Sequence, residues 1–216
     1  MREAEFNITL QQITGLQNKH ARLGLFNNSS MKINFKKLFL VATVAAGLQV
    51  SAQEYRSATG HPVLGKAPKM KVKLLSTVGE VKTYAVIFSK GDDAVSGLTE
   101  FAEKYKVKSG HYQAIGDAMS IEVGWFDYER KEFLVHKLGE AEVTSFTGDI
   151  AWIDGKPVAH THMTASVKDG SVKGGHLFKL IVGPTLEVIV TAEPTPLYKK
   201  YNEEFKANLI DPDLKE

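Results

Sequence analysis

The period of apolar and polar positions changes twice along the chain. From Val81 to Ser89 (VKTYAVIFS) aromatic and β-branched residues dominate, as in a buried strand. Gly91-Asp92-Asp93 interrupts that run. Val95, Leu98, Phe101 or Ala102, and Tyr105 then recur at helical spacing, which predicts a helix with Asp92 as its N-cap. Downstream the period returns to that of strands. Met119, Ile121, Val123 and Trp125 alternate with smaller or polar residues, Asp127 to Lys131 supplies a turn, and Phe133 to Leu138 returns antiparallel. Further strands are predicted over Ala141–Ile153, Pro157–Val167, Val172–Val182 and Leu186–Thr191, with short turns at Asp154-Gly155, Asp169-Gly170 and Gly183-Pro184. One helix among about seven strands with short connections predicts an α+β domain built on a mostly antiparallel sheet. Leu197 to Leu209 is charged and helical in period, which predicts a C-terminal helix packed on the sheet or on a neighbouring subunit.

The N-terminal part follows a different logic. Lys32, Lys36 and Lys37 form a basic start, Leu38 to Val50 is an uncharged apolar run, and Val50-Ser51-Ala52 offers the small residues that a signal peptidase accepts. The apolar run is shorter than the roughly 20 residues of a membrane-spanning helix. Residues 31–52 therefore read as a signal peptide, with Gln53 as the mature start and a periplasmic or secreted destination. No stable membrane span remains after cleavage. Met31 stands where an initiator would, so residues 1–30 read as an over-extended gene start. Residues 53–72, rich in Gly, Pro and Lys, read as a leader or linker; 73–196 form the domain and 197–216 the helical tail.

Removal of the signal changes the charge. The full chain of 216 residues has 27 basic and 25 acidic residues. Six of the basic and two of the acidic ones lie in residues 1–52, leaving 21 against 23, a net charge of −2. The whole-chain pI of 8.6 is thus misleading. A mildly acidic mature chain lacks the basic footprint of a phosphate-backbone binder. Cysteine is absent, so disulfides and thiolate metal sites are excluded, and any metal must be held by His, Asp or Glu.

Among the seven histidines, His160 and His162 stand two apart on one predicted strand, so their side chains leave the same face. The chain turns at Asp169-Gly170, and Gly174-Gly175-His176 lies on the return strand. Two registers are open. A two-residue loop pairs His162 with Leu177 and turns His176 away. A three-residue loop, Lys168-Asp169-Gly170 with Gly170 left-handed, pairs His162 with His176. The second gathers His160, His162 and His176 on one face, a three-imidazole site suited to a divalent metal, zinc above all. Gly174 and Gly175 allow close backbone approach or a bulge beside it. His111 and His136 have no such company. Glu187, the one carboxylate in TLEVIV, either points outward or orients a histidine from behind. Gly116-Asp117 and Gly148-Asp149 are most simply turn or bulge signals. There is no nucleophile elbow and no phosphate-binding glycine loop.

Four segments carry a family resemblance: YAVIFSKGDDAVSGLTEFAEKY, YQAIGDAMSIEVGWFDYERKEF, EVTSFTGDIAWIDGKPVAHTHMTASVKDGSVKGGHLF, and TLEVIV. From about Val81 to Glu193 the chain resembles the plants-and-prokaryotes-conserved (PPC) domain family. The third segment is the most specific, with its H-x-H strand, D-G turn and GGH return strand. The resemblance implies a homotrimer of α+β subunits with a metal at the histidine cluster, and a fold similar to that of acetolactate decarboxylase. Plant members join the domain to AT-hooks and bind DNA, but no Arg-Gly-Arg-Pro hook is present here.

Three functions compete. The favoured one is an exported, oligomeric module that binds a metal or small ligand and is not an enzyme. A second is a zinc-dependent lyase acting on a small oxo-acid, with Glu187, Glu122 and Asp149 as the acid–base candidates. The third is DNA binding, which the family label suggests and the mature charge disfavours.

Overall fold

The computed structural model describes residues 53–215, so the expectations for residues 1–30 and for the signal peptide lie outside the described residues. Strands β1 (Tyr55–Arg56) and β2 (Lys71–Val78) precede the predicted strand at Val81–Ser89, which is β3. Helix α1 (Ala94–Lys104) follows. The chain then runs through β4 (Gly110–Asp127), β5 (Glu132–Leu138), β6 (Ala141–Ile153), β7 (Lys156–Ser166), β8 (Val172–Ala192), β9 (Tyr198–Asn202) and β10 (Ala207–Asp211). The domain is α+β, with mostly strands and one helix among the described residues.

The helix is capped one residue later than expected, by Asp93 rather than Asp92. Asp93 accepts hydrogen bonds from the amides of Val95 (3.0 Å) and Ser96 (3.2 Å). Asp92 is fully buried and accepts instead from the amides of Lys69 and Ser89. The two neighbouring carboxylates are chemically alike, and only the path of residues 65–70 separates their roles. That stretch, read as linker, is tied to the helix: the Lys66 amide donates to Ser96 Oγ and the Lys66 carbonyl accepts from Asp93. Ala94, Leu98, Phe101 and Ala102 of α1 are sealed in the core with Val86, Phe88, Leu180, Leu186 and Val188 of β3 and β8.

Among the described residues the sheet has ten strands rather than about seven. One edge of β4 bonds β6 through Gly110–Ala118 and β5 through Ile121–Asp127, while its other edge runs along β8 from Ala192 to His176. On its far edge β8 takes β3 at Thr185–Ala192 and β7 at Val172–His176. Because β6 also pairs with β7, strands β4, β6, β7 and β8 close into a ring. All of these pairings are antiparallel.

Two expectations are corrected. Val172–Val182 and Leu186–Thr191 are one strand, not two. Pro184 lies beside the β4 irregularity at Gly116–Ala118, outside both ladders, so its missing N–H breaks nothing. The C-terminal helix is also absent, and Leu197–Leu209 instead contributes to the β9–β10 hairpin, with Tyr198 opposite Asp211 and Asn202 opposite Ala207. The Phe205 amide donates to Asn202 Oδ1 in its turn. Helical period in a charged stretch is a weak signal, and here pairing overrides it. Trp152 fixes the hairpin to β6: its amide donates to the Leu197 carbonyl (2.9 Å), and Trp152 faces Tyr198 in a parallel bridge.

Candidate metal centre

The β7–β8 turn sets the register. Ser166 pairs with Val172, and the Val167 amide donates to the Ser171 carbonyl across a three-residue loop, Lys168–Asp169–Gly170. Gly170 has φ +79°, the left-handed conformation that this loop needs. Asp169 Oδ1 braces the loop by accepting from the Ser171 amide (2.9 Å) and hydroxyl (2.7 Å). His162 consequently pairs with His176. His160, two residues upstream, shares the face. One nitrogen from each ring lies within 4.8 Å of those of the other two. Ring centroids are 5.0 to 5.5 Å apart.

His176 forms the floor. Its ring stacks on Phe133 of β5 (4.5 Å, 17° between planes) and meets the edge of Phe178 (5.0 Å). The Arg56 guanidinium of β1 lies over the Phe178 ring, 4.7 Å from its centroid. Burial pulls the His176 imidazole down to about 3, and His160 and His162 add repulsion. His176 Nδ1 is buried and has no hydrogen-bond partner. His162, at the exposed rim, is also lowered, by the partial burial of its ring and then by His160. Two neutral rings, one with an unsatisfied buried nitrogen, beside a third imidazole make a donor set that fits a divalent cation.

Behind His160 stands Asp149, its direct partner across the β6–β7 ladder, with Oδ2 3.4 Å from His160 Nδ1. Lys199 Nζ from β9 approaches the other oxygen at 3.5 Å. Burial pushes the Asp149 carboxyl up, but His160 and Lys199 together outweigh it and hold it below the ordinary carboxylate value. Tyr112 supports the same strand: its hydroxyl lies 2.7 Å from Thr161 Oγ1 and donates to the His160 carbonyl at 3.1 Å. Gly148 makes this contact possible, since a Cβ there would strike both the His160 carbonyl and the Tyr112 hydroxyl. Gly148-Asp149 is therefore neither turn nor bulge. It lies within β6 and serves the site.

Glu187 is not brought to the histidines. It is exposed opposite Ile87 and Ile115, eleven residues along β8 from His176, about 35 Å of extended chain. Glu122 is taken up by Arg56, its Oε2 2.9 Å from the guanidinium. His111 and His136 are exposed on β4 and β5. The helical period of Leu197–Leu209 hides Lys199, which reaches Asp149 only because its segment pairs as β9. A surface cavity of about 710 Å³ opens beside Trp152, Tyr198 and Lys199, but none of the three histidines lines it.

Comparison with known proteins adds lineage. The Plants and Prokaryotes Conserved domain matches residues 75–194. No curated protein matches the chain in sequence. A candidate DNA-binding protein from Bacteroides thetaiotaomicron superposes with a TM-score of 0.60 at 22% identity, over 66% of this chain and 96% of its own. A candidate DNA-binding protein from Ralstonia eutropha does so with 0.57 at 31% identity, over 59% of this chain and 90% of its own. A metal-containing protein from Archaeoglobus fulgidus gives 0.56 at 27% identity, over 65% and 96%.

Proposed function

The chain belongs to the Plants and Prokaryotes Conserved domain family, and from that premise we propose that it is a zinc-binding module whose ion is held by His160, His162 and His176. The observation that carries this reading is the convergence of three imidazole nitrogens within 4.8 Å. The neutral state favoured for His162 and His176 supports it, because ligation needs an unprotonated ring. A metal-containing protein among the similar solved structures supports it further. Zinc on three imidazoles keeps a fourth position for a small ligand and supplies a Lewis acid there. Asp149 and Glu122 are each engaged with cations, which favours a binding module over a lyase. In this reading the mature chain starts at Gln53, is exported, and assembles as the trimer that the family resemblance implies.

DNA binding is the second reading, favoured by the names of two similar solved structures. The net charge of −2 over residues 53–216 weighs against it.

Elemental analysis after zinc exposure and desalting tests the first reading. The expected result is about one ion per chain, and none after His162→Ala or His176→Ala. An empty wild-type protein overturns it.

A further inference from the structure

A histidine that ligates metal usually has its other ring nitrogen fixed by a carboxylate or carbonyl, which selects the tautomer. Within the triad His160 meets a carboxylate, that of Asp149 at 3.4 Å from Nδ1. Asp149 is itself in an unusual state: Oδ1 is buried and makes no hydrogen bond. The charge that faces Oδ1 is Lys199 Nζ at 3.5 Å, on a side chain only 4% exposed. Lysine is rarely buried to this degree without a partner.

Lys199 lies on β9, beyond residue 194 where the family domain ends. Two hydrogen bonds seat this segment, and a third holds the tryptophan that receives it. The Trp152 amide donates to Leu197, the Leu197 amide donates to Lys108, and Trp152 Nε1 donates to Val107 at 2.7 Å. β9 is thus docked on β6 three residues from Asp149, and its lysine enters the protein behind the histidines.

We infer that the C-terminal hairpin is part of the metal site: Lys199 clamps Asp149, and Asp149 holds His160 with its proton on Nδ1, which leaves Nε2 to the ion. Asp149 and Lys199 are positioning residues. The inference rests on the zinc-site reading for its last step, but the clamp itself is a property of the metal-free chain.

The chemistry of an amide separates this from a purely structural ion pair. In Asp149→Asn, Lys199 can only donate, so it takes the amide oxygen and turns the amide NH₂ toward His160. His160 must then accept at Nδ1, and its proton moves to Nε2, the nitrogen the ion needs. Long-range ¹H–¹⁵N correlation on the full chain, zinc-free and in alkaline buffer, reads the tautomer of each ring. Competition with a chelator reads zinc affinity.

Wild type should show the Nδ1–H tautomer at His160 and Asp149→Asn the Nε2–H tautomer, with zinc bound about 10–100-fold more weakly. Lys199→Met, which keeps the apolar stem, should weaken zinc in the same direction, and Lys199→Arg should restore it. In the double variant Asp149→Asn/Lys199→Met the amide can turn over, so Nδ1–H should return in part. A wild-type tautomer in Asp149→Asn, or equal zinc affinity in Lys199→Met and wild type, overturns the clamp. If wild type binds no zinc, the metal reading falls, and the tautomer comparison still decides the clamp.

Discussion

His162 and His176 face each other directly across the β7–β8 ladder, and Gly170 at the turn makes that pairing possible. Gly170 has open space around the position of a Cβ, so a substitution there meets backbone strain and no clash. A β-branched residue in the left-handed region costs about 1–2 kcal/mol. Gly170→Val should lower unfolding stability by that amount in urea titration, and Gly170→Asn by less. Zinc stoichiometry should hold, because β4 also fixes the return strand through Gly124 opposite His176. Unchanged stability in Gly170→Val would contradict the loop geometry.

The candidate site's three histidines were legible up to the choice between two registers, because strand periodicity and loop length are local. His160 and His162 share a face by the two-residue repeat, and the three-residue loop then selects His176. The supporting groups were not legible for the opposite reason. Asp149 meets His160 through the β6–β7 register, and Lys199 arrives from a hairpin that pairs with β6 at a single bridge. Nothing local in either segment records the encounter. Glu187 looked suitable only because it was the lone carboxylate in an apolar run, and the length of β8 carries it away from the site.

Stability of the zinc-free protein should fall on mild acidification. The folded His176 titrates at about 3, against about 6.5 in an unfolded chain. Between these values the unfolded chain binds a proton that the folded one does not, so the slope of stability with pH is positive. The contribution is complete above about 6.5 and is lost progressively as pH falls toward 3. His162, also lowered, acts in the same direction. Thermal unfolding should therefore show a lower midpoint at pH 5 than at pH 7. His176→Phe, which removes the unsatisfied nitrogen and keeps a ring between Phe133 and Phe178, should flatten that slope. An unchanged slope in this variant would place the acid sensitivity elsewhere.

Binding to DNA should be weak and insensitive to sequence. Affinity for duplex DNA comes largely from Lys and Arg that neutralise phosphates and release counterions, and it falls steeply with salt. Over residues 53–216 acidic residues exceed basic ones by two. The densest basic group is Lys66, Lys69, Lys71 and Lys73, and the fold gives part of it another role. Lys69 Nζ donates to the Lys90 carbonyl at 2.8 Å. Lys71 and Lys73 lie on β2, the terminal strand of the sheet, where lysines commonly guard an edge against pairing with other chains. Titration of the chain against mixed and AT-rich duplexes at about 150 mM salt should give dissociation constants no tighter than about 10⁻⁶ M, the non-specific range. A low-salt interaction that disappears at this ionic strength is expected from the β2 lysines alone. Sub-micromolar binding with a preference for one duplex would instead mean that a local basic surface outweighs the net charge, and it would put DNA ahead of zinc as the ligand of this domain.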